Sequence, residues 1–288
     1  MPVRQESLFE QWLAPLFRTF LLDEKAMRAF AQRIDWAAAC DRLTNPTLSY
    51  PDYYQQHNFH GIKGGYLTQS AAVTYDPITQ YVLPPGETLV RQAVVGAIQG
   101  QPRRILDLGC GTGSTTLLLK QAFPTAEVIG LDLSPYMLAV AEVKAQDAGL
   151  SIVWRHGQAE QTGFPAAAFD VVTASLLFHE TPPAIAQAIL RECHRLVTVG
   201  GQCLILDGNQ PTLRQTDWLN NLFEEPYIRD YAAGSVDAWM GAAGFGAVRT
   251  HNVWWLNQLT TGVKAIAATE RDGRSPAWAA DDAEWAMG

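Results

Sequence analysis

From residue 104 onward the chain alternates short, almost unbroken apolar runs with longer stretches in which apolar residues recur every three or four positions. The short runs fall at 104–108, 127–131, 151–156, 169–174 and 202–207, and each reads as a strand covered on both faces. Helices are expected between them over 114–122, 135–148 and 182–196. Ser134 is placed to cap the second of these, Pro135 suits its first position, and Gly149 stops it. Gly200-Gly201 is expected to turn the chain into the fifth strand. Strand–helix alternation of this kind predicts an α/β fold built on a doubly wound, mostly parallel sheet.

The flanking regions carry other patterns. Phe9, Trp12, Leu13, Leu16, Phe17 and Phe20 form one helical stripe, and Met27, Phe30, Ile34 and Ala38 form a weaker second one. They predict an N-terminal helical cap that packs on the sheet, walls a pocket or touches a membrane or partner. Residues 45–65 are rich in Pro, Tyr, His, Asn and Gly and read as an aromatic loop. Helices follow over 69–81 and 88–100, separated by Leu83-Pro84-Pro85-Gly86. After the fifth strand come helical stretches at 212–223 and 235–244, then two strands near 245–251 and 258–266. The expected organisation is a cap and loop over 1–100, a main domain over 101–266 with a helical insertion at about 208–244, and a tail over 267–288.

Chemistry concentrates where the first strand ends. Asp107-Leu108-Gly109-Cys110-Gly111-Thr112-Gly113 leads directly into a helix, so glycines stand where a backbone must approach a ligand closely. Asp132 closes the second apolar run, near the spacing of about 20 residues at which a carboxylate reaches a ribose hydroxyl. Strand, glycine turn, helix, strand and acid make a Rossmann-like nucleoside-binding half-fold. A dinucleotide fingerprint starting at Gly109 would need glycine where Ser114 stands, and a P-loop would need a lysine that the turn lacks.

The pattern D-x-G-x-G-x-G resembles motif I of the class I S-adenosylmethionine-dependent methyltransferases, and the resemblance extends from about Arg103 to Val263. It implies a final antiparallel strand pair in the sheet, S-adenosylmethionine as cofactor and S-adenosylhomocysteine as product. It implies that Gly109, Cys110, Gly111 and Gly113 carry the amino-acid end of the cofactor, while Asp107 orders the turn or meets the ammonium through water. Asp132 would accept the ribose hydroxyls, with Leu133 and Met137 against the adenine. Gln158 stands where relatives usually have an acid for the adenine amino group, and Ala159 follows it. Ser175 and Leu176 would line the methionine arm, and Tyr66 or Tyr75 would reach the same end. The segment Ser175-Leu176-Leu177-Phe178-His179-Glu180 resembles the L-x-H-x form of small-molecule methyltransferases. His179 is a candidate general base, since an alcohol or phenol acceptor must lose a proton near neutral pH.

Composition narrows the partners. The net charge of −8 and the lack of any basic run beyond Arg103-Arg104 argue against a nucleic-acid substrate. No run of 18 or more apolar residues is present, so a spanning segment is not expected, though peripheral membrane contact stays open. The first residues lack the basic-then-apolar plan of a signal peptide, and four cysteines without metal spacing fit reduced thiols in the cytoplasm. His57 and His60 lack completing ligands, so no metal site is expected. Trp218, Phe223, Tyr227, Tyr231, Trp254 and Trp255 suggest an aromatic wall near the pocket rim. The expected activity is methyl transfer to a small, apolar or aromatic metabolite. A cofactor-binding protein without catalysis, or less readily a nicotinamide-dependent oxidoreductase, is the alternative.

Overall fold

The computed structural model describes residues 23–55, 59, 65–82, 85–216, 218 and 226–265. The stripe from Phe9 to Phe20, His57, His60, Phe223 and the tail from 267 lie outside the described residues. The first part is helical: α1 (Glu24–Gln32), α2 (Trp36–Leu43), the short α3 (Asp52–Gln55), α4 (Gln69–Val82) and α5 (Glu87–Ala97). The weaker stripe thus forms two helices rather than one. Asp35 breaks it, because its side chain caps α2 by accepting the Ala38 N–H at 3.1 Å.

Strands and helices then alternate as the apolar pattern requires. They are β1 (Arg104–Leu108), α6 (Ser114–Ala122), β2 (Glu127–Asp132), α7 (Pro135–Asp147), β3 (Val153–His156), β4 (Phe169–Ser175), α8 (Pro183–Leu196) and β5 (Val197–Gly208). Among the described residues, the short helices α9 (Gln210–Gln215), α10 (Ile228–Ala233) and α11 (Val236–Ala242) precede β6 (Gly246–Val253) and β7 (Asn257–Val263). The sheet order is β3-β2-β1-β4-β5-β7-β6. The first five strands are parallel, and β7 runs antiparallel to both β5 and β6.

The glycine pair at 200–201 is not a turn ahead of β5 but an irregularity inside it. Val197 pairs with Phe169 and Gln202 with Val171, so β5 carries extra residues between two paired positions. Gly200 takes φ +79°, and a side chain at Gly201 would strike backbone oxygens of Thr198 and Asp170. The first helix of the insertion starts at Gln210 rather than at 212. Asn209 caps α9 by accepting the Thr212 N–H at 2.9 Å, a signal hidden next to the strand end.

Burial explains the layering. β1, β2 and β4 are buried along almost their whole length, which helices on both faces make possible. One face packs Leu106, Ile129, Val172 and Ile205 against Ile189, Leu190, Tyr231 and Met240. The other sets Ile105, Val128 and Leu204 against Val90, Val94 and Leu119. A third cluster joins Ile34, Ala39, Phe59, Tyr66 and Ala72 to Met137 and Val140 of α7. Arg42–Glu142 and Arg33–Asp147, both at 2.5 Å, tie α1 and α2 to the same helix. These exposed pairs add little stability of their own.

Trp154 locks the glycine turn to the sheet. It lies opposite Gly130 in the β2–β3 register. A Cβ at Gly130 would stand 2.5 Å from the indole, and one at Gly113 2.7 Å from it. Gly130→Ala is therefore expected to cost about 1–3 kcal/mol by overpacking. Thermal melting should show it as a drop of several degrees, at roughly 2–4 °C per kcal/mol. Adding Trp154→Leu should recover part of the loss; a double variant as unstable as the sum of both changes would refute this packing role.

Candidate functional site

The carboxyl ends of β1, β2 and β4 open on one cleft, as expected for a doubly wound sheet. Gly109, Gly111 and Gly113 all have positive φ, at +60°, +53° and +80°. A side chain at Gly109 would meet Leu177 at 2.8 Å, whereas one at Gly111 would point into open space. Gly113 is the left-handed N-cap of α6, so the first amides of that helix face the turn. Asp76 of α4 braces the turn from above. It accepts from Thr112 and Ser114 and pairs with Lys144 of α7 at 2.5 Å.

The two acids singled out in the sequence have different surroundings. Asp107 is buried beneath the turn, accepting from Thr116 Oγ1 at 2.6 Å and Thr173 Oγ1 at 2.7 Å. It ties β1 to β4 and α6 and does not line the cleft. Burial raises its pKa, and the two threonine bonds partly oppose that. Asp132 lines the cleft, with Oδ2 accepting the Gly111 N–H and Oδ1 the Ser134 N–H, each at 2.8 Å. Burial pushes its pKa up to about 6 despite those bonds.

Gly109, Cys110, Gly111, Leu133, Met137, Ala159, Ser175, Leu176 and Tyr66 also line the cleft, together with Tyr75. Gly113 lies behind the turn. Gln158 points away, its amide donating to the Ser49 carbonyl at 2.8 Å, so it meets the loop rather than the cleft. His179 stands one layer back. Its Nδ1 is 2.6 Å from Asp207 Oδ1, and Asp207 also accepts the Phe178 N–H. The residue that reaches the cleft from this short 3-10 turn is Glu180, 4.0 Å from His179 Nε2. Glu180 accepts the Tyr66 hydroxyl at 2.6 Å.

An aromatic roof covers the cleft. Tyr54 and Phe59 have centroids 5.7 Å apart, Phe59 stacks on Tyr66 at 5.5 Å, and Tyr66 meets Tyr75 edge-on at 5.8 Å. Burial raises the pKa of Tyr54 and of Tyr75, which keeps both phenols neutral. The aromatic loop therefore contributes to the wall through Tyr53, Tyr54 and Phe59. Of the aromatics expected to form a wall near the rim, Tyr227 reaches the Tyr53 carbonyl at 3.5 Å, and four others stand elsewhere. Tyr231 is fully buried, while Trp218, Trp254 and Trp255 are exposed, and none of them lines the cleft. Four further residues line the cleft without a role assigned from sequence: Arg91 and Thr181, and Leu177 and Glu180 from within the quoted motif. Arg91 lies outside every motif, and Glu180 is overshadowed by the histidine beside it.

The cleft asks for a ligand with polar atoms at defined places. Ser175 Oγ is buried within it and has no hydrogen-bond partner among the described residues. The open direction at Gly111, the helix amides and the Asp132 carboxylate offer places for a carboxylate and a ribose diol. Among the described residues, no group of three or more His, Cys, Asp or Glu side chains is arranged to hold a metal ion.

Comparison with known proteins defines the class. Residues 105–201 match the family model described as a methyltransferase domain. An uncharacterized methyltransferase of Synechocystis sp. is 32% identical over 157 residues, covering 52% of this chain and 69% of that protein. The chain belongs to the class I S-adenosylmethionine-dependent methyltransferase family, and its cofactor is S-adenosylmethionine. The nicotinamide alternative is thereby set aside.

A demethylmenaquinone methyltransferase of Thermus thermophilus is 40% identical over 121 residues, 42% of this chain and 54% of that one. The chain spans about half the length of the demethylmenaquinone methyltransferases it matches first. Among solved structures, human N-acetylserotonin methyltransferase in complex with S-adenosylmethionine aligns with a TM-score of 0.56. At 16% identity, over 80% of this chain and 66% of that one, it shows a shared fold.

Proposed function

We propose that this protein transfers a methyl group from S-adenosylmethionine to a small, apolar or aromatic acceptor. The observation that carries the reading is the single cleft in which the glycine turn and Asp132 face a roof of Tyr53, Tyr54, Phe59 and Tyr66. Bound there, the cofactor supplies an electrophilic methyl on a cationic sulfonium. Asp132 would hold the ribose diol, the α6 amides would face the carboxylate, and Leu133 and Met137 would flank the adenine. The tyrosine faces suit a cation and exclude water, so displacement depends chiefly on alignment. Glu180, which lines the cleft beside Tyr66, would take the acceptor proton. His179, its Nδ1 proton held by Asp207, would present Nε2 as a proton acceptor behind Glu180, 4.0 Å from that carboxylate.

Demethylmenaquinone, the acceptor in the names of the relatives, is the first compound to offer, in its reduced form. The test supplies labelled S-adenosylmethionine with that quinol and, in parallel, with whole-cell extract. Label in an extractable small molecule supports the reading. Label confined to precipitated protein or nucleic acid, or no transfer at all, would replace it with a macromolecular acceptor or a non-catalytic role.

A pH dependence follows from Asp132. Its raised pKa means that ionising it in the free folded protein costs about 3 kcal/mol relative to water, at 1.36 kcal/mol per unit. The folded state thus binds more protons than the unfolded one between about pH 4 and 6, and this group's contribution to stability falls as pH rises through that window. Ribose donors favour the carboxylate and lower its pKa in the complex. Affinity for S-adenosylhomocysteine should therefore be level above about pH 7 and fall as pH drops through 6. Calorimetry at pH 6 in two buffers of different ionisation heat should show proton release, and Asp132→Asn should abolish it.

A further inference from the structure

The loop that roofs the cleft is clasped by three alternate residues at and beyond the end of β3. His156 Nδ1 accepts the Asn45 N–H at 3.0 Å, Gln158 donates to the Ser49 carbonyl at 2.8 Å, and Glu160 accepts the Tyr53 hydroxyl at 3.1 Å. The other ring nitrogen of His156, Nε2, stands 2.9 Å from the Leu133 carbonyl and 3.2 Å from the Tyr50 hydroxyl. These partners fix the tautomer. A backbone N–H can only donate and a carbonyl can only accept, so Nδ1 is bare and Nε2 carries the proton. A second proton, on Nδ1, would face the Asn45 N–H and break that bond.

The grip extends into the cleft through ring contacts. The imidazole centre is 5.6 Å from that of Tyr50, and Tyr50 stacks on Tyr54 at 6.3 Å. Tyr54 leads through Phe59 to Tyr66, whose hydroxyl Glu180 accepts. On its other side His156 holds the carbonyl of Leu133, a cleft residue next to Asp132. The ionisable groups around the ring are Tyr50 from the loop, Asp132 beside it on β2, Arg155 on its own strand, and Arg42 and Glu142 from α2 and α7. Both carboxylates already have partners: Glu142 pairs with Arg42, and Asp132 accepts the Gly111 and Ser134 amides.

We propose that His156 is a positioning residue: as the neutral imidazole it fastens the aromatic roof over the cofactor cleft, and on gaining a proton it lets the roof go. Burial holds the ring below the ordinary histidine pKa of about 6.5, with the Leu133 carbonyl partly opposing that. The clasp is therefore complete above that pH and is lost as pH falls through the lower folded value. The inference goes beyond the proposed reaction, and its test needs no methyl acceptor, so either can fail without the other.

The experiment follows backbone amide exchange of the full chain without ligand from about pH 8 to about pH 5, corrected for the intrinsic effect of pH. Protection over residues 45–54 should fall by about tenfold or more below about pH 6.5, the scale of one pKa unit, while that of β1 and β2 stays level. Asp132 titrates in the same range but bonds to no residue of that segment, so the readout separates the two groups. His156→Gln, which cannot take the charge, should make the loop's protection independent of pH. Nitrogen NMR of the wild-type histidines should show His156 as the Nε2–H tautomer at about pH 7, and it carries the test if the variant does not fold.

A loss of protection that persists in His156→Gln would make another group the switch. A loss spread evenly over the sheet would make His156 part of the packing alone. Loop protection level across the whole range, or a ring protonated on Nδ1 at about pH 7, would overturn the clasp.

Discussion

Asp132→Ala is expected to weaken binding of S-adenosylhomocysteine by about 1–3 kcal/mol, roughly five- to 150-fold. The loss has two sources. Ribose hydroxyls lose their acceptor in a buried place, and the Gly111 and Ser134 amides lose the carboxylate that holds them at 2.8 Å. The second source would also loosen the turn, so the change should lower the apo melting temperature less than it lowers affinity. Asp132→Asn separates the two, because an amide oxygen can keep one backbone bond while presenting no charge. Unchanged affinity in both variants would show that the ribose is held elsewhere.

Glu180→Gln should cut turnover by about a hundredfold or more, the usual contribution of a positioned general base. Affinity for S-adenosylhomocysteine should change little, since the amide oxygen can still accept the Tyr66 hydroxyl. His179→Gln should have a smaller effect, confined to kcat and to its pH profile, because the imidazole stands behind Glu180 and does not itself line the cleft. An acceptor already ionised in solution should erase both penalties at high pH. If His179→Gln proved the more damaging change, the order of the two groups along the proton path would be reversed.

What could be read in the sequence depended on how local its cause was. Gly109, Gly111, Gly113 and Asp132 were legible because strand period and spacing place them at two adjacent strand ends. The parallel half of the sheet was legible because buried strands need unbroken apolar runs, as in Val128–Leu131 and Cys203–Leu206. Arg91 and Tyr75 were harder, since they reach the cleft from helices whose docking no local pattern encodes. Glu180 does not stand out beside His179 in its motif, because only a three-residue turn decides which of two neighbours faces inward. Gln158 was assigned by analogy with an acid, and its side chain instead found the Ser49 carbonyl. The exposed Trp254 and Trp255 show the opposite error: apolar character alone does not say which way a hairpin end points.

The place of β7 bears on how the chain is made. It is the last of the described strands in sequence, yet it lies inside the sheet, between β5 and β6. A nascent chain leaving the ribosome exposes β5 with one edge unpaired, and β6 emerges before the strand that will hold it. Until residues 257–263 arrive, Leu204 and Leu206 lack the neighbour that pairs beside them in the finished sheet. An open apolar edge of that kind is where nascent chains stick to one another and where chaperones bind. Synthesis halted just before Asn257 would release a chain with its cofactor loops already formed and its sheet open, a species prone to aggregate rather than to work.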